Sequence, residues 1–317
     1  MKAALVTQAG ATPVYGDFAE PTPRADQLII EVSAAALSPL TRGRAAGSHY
    51  SAEHRYPQVV GVDGVGTLAG QRVYFVLPEP PQGSMAERVA IVPERCVMLP
   101  EGLDDVKAAA IANPGMSSWA ALRHRARLVA GETVLVNGAT GSAGRLAVQI
   151  ARHLGAKKVI ATGRNPAALQ DLARVGADVT ISLTQEPRAF EAACKEQFAE
   201  GVDVVLDYLW GESAETLLVT AARTAKDGVP LRYVEIGAAS GGDVKLPGAV
   251  LRSSAISLMG SGIGSVSMAH LLRSIEELFQ AAQSSAFEMK AQVVPLSEVE
   301  QAWGAEGSSA RTVFTVQ

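Results

Sequence analysis

The spacing of apolar positions changes character near residue 131. Ahead of it, apolar and polar residues alternate over short stretches broken by turns, a period of two that predicts strands. Residues 1–7, 27–36, 59–68, 71–77 and 86–92 are such stretches, and the Pro-rich piece 78–83 is a loop between two of them. Several short strands before any helix predict a small β-barrel-like unit. Helices are expected over 104–112, stopped by Asn113-Pro114-Gly115, and over 117–129. Beyond residue 131 strands and helices alternate. The strands fall at 133–137, 157–162, 178–182, 202–207, 231–236 and 255–259, with helices at 166–175, 187–199 and 213–224 among those between them. This β-α-β rhythm predicts an α/β fold with a doubly wound parallel sheet. A long helix then covers 268–283, and strands 291–294 and 311–316 flank a short helix at 296–303. These last strands most easily rejoin the N-terminal β unit. The expected division is therefore 1–115 plus 263–317 as a β-rich domain, and 116–262 as a dinucleotide-binding domain.

One stretch organises this pattern: TVLVNGATGSAGRLAVQIARHLGA, residues 133–156. A buried strand leads into Gly138, Gly141 and Gly144, and Leu146, Ala147, Ile150, Ala151 and Leu154 follow at helical spacing. The first amides of a helix lack intrahelical partners, and the helix dipole adds positive charge there. Glycines let the backbone approach a pyrophosphate. The spacing is G-x-x-G-x-x-G rather than G-x-G-x-x-G, so the glycines alone also fit a plain tight turn. With the strand before and the helix after, they predict a dinucleotide site lined by Gly138, Thr140, Gly141, Ser142, Ala143 and Gly144.

The second strand of such a unit usually ends in an acid that binds the ribose of NAD. Here it ends in Gly163-Arg164-Asn165, and no acid lies between Gly155 and Gln170. Arg164 is a permanent, planar donor suited to a 2′-phosphate, which points to NADPH. Another reading leaves Arg164 a solvated loop residue and Asn165 the cap of a helix begun by Pro166.

Composition narrows the class. Of 317 residues, 48% are hydrophobic and 19% charged, which describes a globular chain. A net charge of -4 gives no electrostatic case for nucleic acid or an anionic membrane. No apolar run is long enough to cross a bilayer, and the start MKAALVTQAG is too short for a signal peptide. Cys96 and Cys194 stand far apart and read as free thiols of a cytoplasmic protein. Neither they nor the five histidines form a recognisable metal motif, His49 and His54 included.

The chain resembles the medium-chain dehydrogenase/reductase superfamily, in its zinc-free quinone oxidoreductase (zeta-crystallin-like) branch. The resemblance rests on MKAALV at the start, YPQVVGVDGVGTL at 56–68, RCVMLPEGL at 95–103 and AAAIANPGMSSWAAL at 108–122. It continues through the glycine stretch, GVDVVLDYLWG at 201–211 and the pair Gly260/Gly262. It implies a Rossmann domain inserted in a GroES-like catalytic domain. It further implies hydride transfer from NADPH to a quinone or an α,β-unsaturated carbonyl, and a homodimer. Where the zinc branch carries a catalytic Cys and a Gly-His-Glu motif, this chain has Ser38 and Gly61-Val62-Asp63, so zinc is not expected. Two departures concern the substrate side. Ser38-Pro39 replaces the usual Asn-Pro, and the loop motif Gly47-Ser48-His49-Tyr50 has one residue more.

Hydride addition to an enone or quinone builds negative charge on a carbonyl oxygen, which needs a hydrogen-bond donor rather than a nucleophile. Tyr50 is the candidate donor, because a phenol stays protonated near neutral pH. Ser38 and Tyr50 are the expected substrate contacts. The resemblance puts the Ser117 hydroxyl against the nicotinamide carboxamide; capping a helix at 118–129 would explain that serine equally well. Asp207 ends a parallel strand on the ligand-binding edge and could instead organise the turn before Gly211. Gly237, Gly260 and Ser261 are expected to let the cofactor pass closely. An enoyl-thioester or other C=C reductase, and a cofactor-binding protein with little catalysis, remain alternatives.

Overall fold

The structure is a computed structural model that describes residues 1–285, 287–305 and 310–316. The chain divides into two units, Met1–Asn113 with Leu272–Gln317, and Pro114–Leu271.

In the first unit, β1 (Lys2–Val6) lies between β2 (Val14–Asp17) and, further along the chain, a two-residue partner. Next come β3 (Leu28–Ala36), the short helix α1 (Pro39–Ala45) and β4 (Gln58–Val59), which is that partner of β1. β5 (Asp63–Leu68), β6 (Gln71–Val76), β7 (Arg88–Ile91) and β8 (Cys96–Met98) follow. β3, β5, β6 and β8 form an antiparallel run, and β7 pairs with β3. A register shift between Val32 and Ala34 bends β3, as a bulge does. The helix α1 was not expected in this polar, glycine-bearing segment. Ser38 starts it: its Oγ accepts from the Thr41 amide at 3.0 Å, and Pro39 supplies a preset first φ.

α2 (Asp105–Ala120) corrects the expected break at 113–115, because it runs straight through Pro114. Proline forfeits only one helical hydrogen bond and crowds the preceding turn. Apolar burial on both sides outweighs that: Ala108 to Ala112 before it and Trp119 to Leu122 after it are buried. The helix ends in a π-helical turn, Ala121–Ala126, closed by Arg127 in the left-handed region with φ +52°. Ser117 therefore lies inside a helix and caps none.

In the second unit, β9 (Thr133–Asn137), α3 (Ser142–His153), β10 (Lys158–Gly163), α4 (Pro166–Arg174) and β11 (Val179–Ser182) make its first half. α5 (Pro187–Glu200), β12 (Val204–Asp207), α6 (Gly211–Thr224), β13 (Leu231–Glu235), α7 (Gly248–Arg252) and β14 (Ile256–Gly260) make its second. The six strands are parallel in the order β11-β10-β9-β12-β13-β14, so the winding reverses between β9 and β12. All five residues of β9 are buried, as in a central strand covered on both faces. Phe190 and Phe198 of α5, Leu217 and Leu218 of α6, and Leu135, Val205 and Tyr233 of the strands share one core.

α8 (Met268–Ser284) returns the chain to the first unit, where Phe279 packs edge-on against Tyr74 at 5.7 Å. β15 (Ala291–Pro295), α9 (Val299–Trp303) and β16 (Arg311–Thr315) complete that unit, β16 pairing with β3. The tail strands thus return to the N-terminal sheet. The division falls after Asn113 and after Leu271, against 115 and 262 expected. No helix among the described residues is long and apolar enough to cross a membrane.

Candidate active site

The glycine turn sits on the carboxyl edge of β9, next to the point where the winding reverses. Gly138 has φ +87°, a conformation that favours glycine, and a Cβ there would come within 2.8 Å of Leu209 Cγ. Gly144 lies in the first turn of α3, and its Cβ would sit 2.3 Å from the Gly138 carbonyl oxygen. These two contacts seat the helix start tightly on the strand end. Gly141 is the N-cap, and no side chain caps the helix there. A Cβ on Gly141 would meet only the Gly138 oxygen at 3.9 Å, so the space over the first-turn amides of Ser142, Ala143 and Gly144 is open. An uncapped twelve-residue helix whose mouth is open at Gly141 fits a pyrophosphate. Thr140 packs onto Gly163, whose own Cβ would lie 2.3 Å from the threonine methyl.

Beneath the turn runs a polar network that crosses four adjacent strands through the buried side chains of Thr162, Asn137, Asp207 and Tyr233. The Thr162 hydroxyl accepts from the Gly138 amide at 3.1 Å and donates to Asn137 Oδ1 at 2.6 Å. Asn137 Nδ2 donates to Asp207 Oδ1 at 2.8 Å and to Ser213 Oγ at 2.9 Å. Asp207 Oδ1 also takes the Leu209 and Trp210 amides, and Tyr233 donates its phenol to Oδ2 at 2.7 Å. Asp207 has no exposed surface and both its oxygens are engaged. This corrects the expectation of Asp207 as a direct cofactor ligand: its carboxylate organises the turn ahead of Gly211. The anchored Trp210 holds a positive φ of 56°.

At the end of β10, Asn165 Oδ1 accepts from the Ala168 amide at 3.1 Å and caps α4. Arg164 beside it is exposed and forms no ion pair among the described residues. Arg145 of α3, by contrast, pairs with Asp171 at 2.7 Å. The uncompensated positive charge at this corner is therefore that of Arg164.

On the other side of the reversal, Ser117 donates its hydroxyl to the Pro114 carbonyl at 2.8 Å, and Ser118 donates to that of Gly115 at 3.0 Å. Tyr208 stands just past β12, where Ser117 and Ser118 act to lower the pKa of its phenol. Its oxygen is buried yet completes no hydrogen bond. Burial pushes this phenol up to about 12, so it stays protonated. The absent Cβ of Gly237 would lie 3.3 Å from the Tyr208 carbonyl oxygen. Gly260 ends β14 and the buried Ser261 follows it, the Ser261 amide donating to the Glu235 carbonyl at 2.8 Å. A cavity of about 360 Å³ opens here between Trp210, Glu235, Ala238, Met259 and Gly260. Burial, with the Asp207 carboxylate behind it, raises the carboxyl pKa of Glu235. Neither Tyr208 nor Glu235 was expected from the sequence, although each polar side chain at the end of an apolar strand was a visible signal.

The first unit holds the remaining candidates. Ser38 is 1% exposed and its Oγ lies 2.9 Å from Thr41 Oγ1 besides capping α1. Its hydroxyl is thus committed to the helix start, which corrects its expected role as a substrate contact. Tyr50 is 73% exposed, with its ring 4.1 Å from that of His49. Asp63 is buried and accepts the Tyr74 phenol at 2.8 Å. His49 Nδ1 lies 2.8 Å from Ser51 Oγ. Among the described residues no three His, Cys, Asp or Glu side chains gather as a metal site. Cys96 and Cys194 are free, and burial pushes their thiols up to about 11 and about 12.

Comparison with known proteins places this geometry. A family model described as zinc-binding dehydrogenase matches residues 143–281. A probable NADPH-dependent quinone reductase, tdiC, of Emericella nidulans is 30% identical over 359 aligned positions that cover 100% of both chains. The quinone oxidoreductase of Sus scrofa is 30% identical over 207 residues, 62% of this chain and 61% of that one. The quinone oxidoreductase of Thermus thermophilus, solved also in complex with NADPH, superimposes with a TM-score of 0.80 at 27% identity, over 99% of this chain and 100% of that one. The chain belongs to the medium-chain dehydrogenase/reductase superfamily, in its quinone oxidoreductase branch.

Proposed function

We propose that this protein uses NADPH to reduce a small quinone or α,β-unsaturated carbonyl compound. The observation that carries the reading is the uncapped mouth of α3, open at Gly141, on the carboxyl edge of the parallel sheet. The names of the full-length fungal relative and of the Thermus complex support the same cofactor and acceptor class. Ser142, Ala143 and Gly144 would hold the pyrophosphate through backbone amides, Arg164 the 2′-phosphate, and Ser117, Gly237, Gly260 and Ser261 the ring end. When bound, NADPH supplies the hydride. Its addition to the β-carbon of an enone, or to a quinone, moves an electron pair onto the carbonyl oxygen, which a proton then neutralises. We assign the donor to that oxygen to Tyr50, a phenol that is 73% exposed.

Zinc has no part in this proposal. The positions that match zinc-branch ligands hold Ser38, used as a helix cap, and Asp63, bonded to Tyr74. A reducing cytoplasm is the proposed compartment, supported by two unpaired thiols.

The deciding experiment titrates NADPH and NADH into the wild type and Arg164→Ala. The expected result is tighter NADPH binding that falls at least tenfold in the variant, in line with loss of a charge-assisted phosphate contact, while NADH binding is unchanged. Equal affinities for the two cofactors would remove the phosphate role of Arg164. A panel of quinones, enones and enoyl thioesters, run also on Tyr50→Phe, then identifies the acceptor. Binding of NADPH with turnover of none of them would leave only a binding protein.

A further inference from the structure

The π-helical turn that ends α2, Ala121–Ala126, is held from several directions. The Leu122 carbonyl accepts two amides, that of Arg127 and that of Leu128 at 2.8 Å. From β13, Arg232 donates to the Ala126 carbonyl at 2.8 Å and pairs with Glu132 at 2.6 Å. Such wide turns are rare and occur frequently beside functional sites. What this one reaches is the connection from β14 to α8. Arg125 donates its Nε–H to the carbonyl of Gly260, the last residue of β14, at 2.7 Å. His124 stacks on His270 in the first turn of α8, with ring centroids 4.2 Å apart. Between those two points, Val266 packs with Ala120 and Leu271. The end of α2 thus grips the connection 260–270 at both ends and in its middle, all within the second unit.

The first of these grips bears on the cofactor edge. β14 is an end strand, paired with β13 on one side, and a Cβ on Gly260 would meet nothing within 4 Å. The Ser261 amide is tied to the sheet through the Glu235 carbonyl, and the Gly262 amide donates to Ser265 Oγ at 2.7 Å. Arg125 adds a contact from outside the sheet, and a guanidinium is a permanent donor. A dinucleotide on the α3 mouth lies astride the winding reversal, so its ring half arrives on the β12–β14 side of the carboxyl edge. Backbone that is already fixed there need not be ordered on binding.

We propose that Arg125 is a positioning residue: from the π-helical turn, through its hydrogen bond to the Gly260 carbonyl, it fixes the backbone at the end of β14 where the ring half of NADPH is received. This rests on the NADPH reading above and adds to it a residue that acts through the backbone rather than on the cofactor itself.

The test measures binding of NADPH and of adenosine 2′,5′-bisphosphate, which lacks the ring half, to wild type, Arg125→Met and Arg125→Gln. Arg125→Met keeps an apolar stem and drops the donors. It is expected to weaken NADPH about tenfold, the scale of one charge-assisted hydrogen bond, and to leave the bisphosphate unchanged. Arg125→Gln places a neutral N–H donor as many bonds from the backbone as the arginine Nε, and is expected to return NADPH affinity to within about threefold of wild type. Should Arg125→Met not fold, Arg125→Glu, of the same length and without a donor when ionised, takes its place with the same expectation. Unchanged NADPH binding in the donor-free variant overturns the proposal. So does an equal loss for both ligands, which makes Arg125 a packing residue, and so does a glutamine variant as weak as the donor-free one. Wild type that binds the bisphosphate but not NADPH, or neither, would instead fail the cofactor reading itself.

Discussion

At the scale of single residues, burial decides what a polar group does. Asp63 and Asp207 are both buried carboxylates that accept a tyrosine phenol, yet their surroundings differ. Asp207 takes two backbone amides and an asparagine as well. Asp63 leaves one oxygen without a partner, and burial lifts its pKa to about 6 despite the pull of Arg311 and the Tyr74 hydroxyl. A carboxyl whose folded pKa lies above its ordinary value of 3.8 binds more protons folded than unfolded between about pH 4 and pH 6. Its contribution to stability is therefore present below that window and lost as pH rises through it. Relative to Asp63→Asn, the wild type should lose about 2 to 3 kcal/mol of unfolding free energy between pH 4 and pH 7. Urea unfolding of both proteins across that range checks this. A constant difference would mean that Arg311 keeps Asp63 ionised throughout.

At the scale of elements, the sequence was readable where period and chemistry agree. The parallel strands announced themselves because buried strands flanked by glycines and amphipathic helices have few other readings. The glycine turn was legible for the same reason, since Gly138 and Gly144 are demanded by contacts under 3 Å. Three features were not legible. The helix through Pro114 depends on apolar neighbours that local spacing cannot announce, and α1 depends on a serine cap within a polar segment. The network from Thr162 through Asn137 and Asp207 to Tyr233 joins residues 25 to 70 apart in sequence, one per strand. That network ties the cofactor turn to the sheet, and Thr162 is its first link. Thr162→Val would leave the Gly138 amide and Asn137 Oδ1 without their partner. It should cost about 1 to 3 kcal/mol of stability and about tenfold in NADPH affinity, while Thr162→Ser retains the hydroxyl and recovers both. Thermal melts with and without NADPH compare the pair. Equal behaviour of the two variants would show that the methyl packing of Thr162, not its hydroxyl, supports the turn.

At the scale of the whole molecule, the parallel sheet ends in two unlike strands. β11 is a short strand with half-exposed side chains at one end, and β14 is the other end strand, with Ser257 and Leu258 exposed. An open edge that carries an exposed leucine in mid-strand invites pairing with a second strand. A second copy of the same edge is the simplest partner, because a two-fold axis lets every free amide and carbonyl of β14 find its counterpart. In an antiparallel pair of five-residue strands Ile256–Gly260, the middle residue faces itself, so Leu258 would meet Leu258 across the axis. We therefore expect a homodimer in solution, of twice the chain mass of 33.0 kDa. Leu258→Lys would place two like charges opposite each other at that axis and should shift the population to monomer. Light scattering after gel filtration reads the mass of each form directly. A wild type that runs at 33.0 kDa would rule the edge out as an interface. A dimer that withstands the lysine would move the interface to another surface.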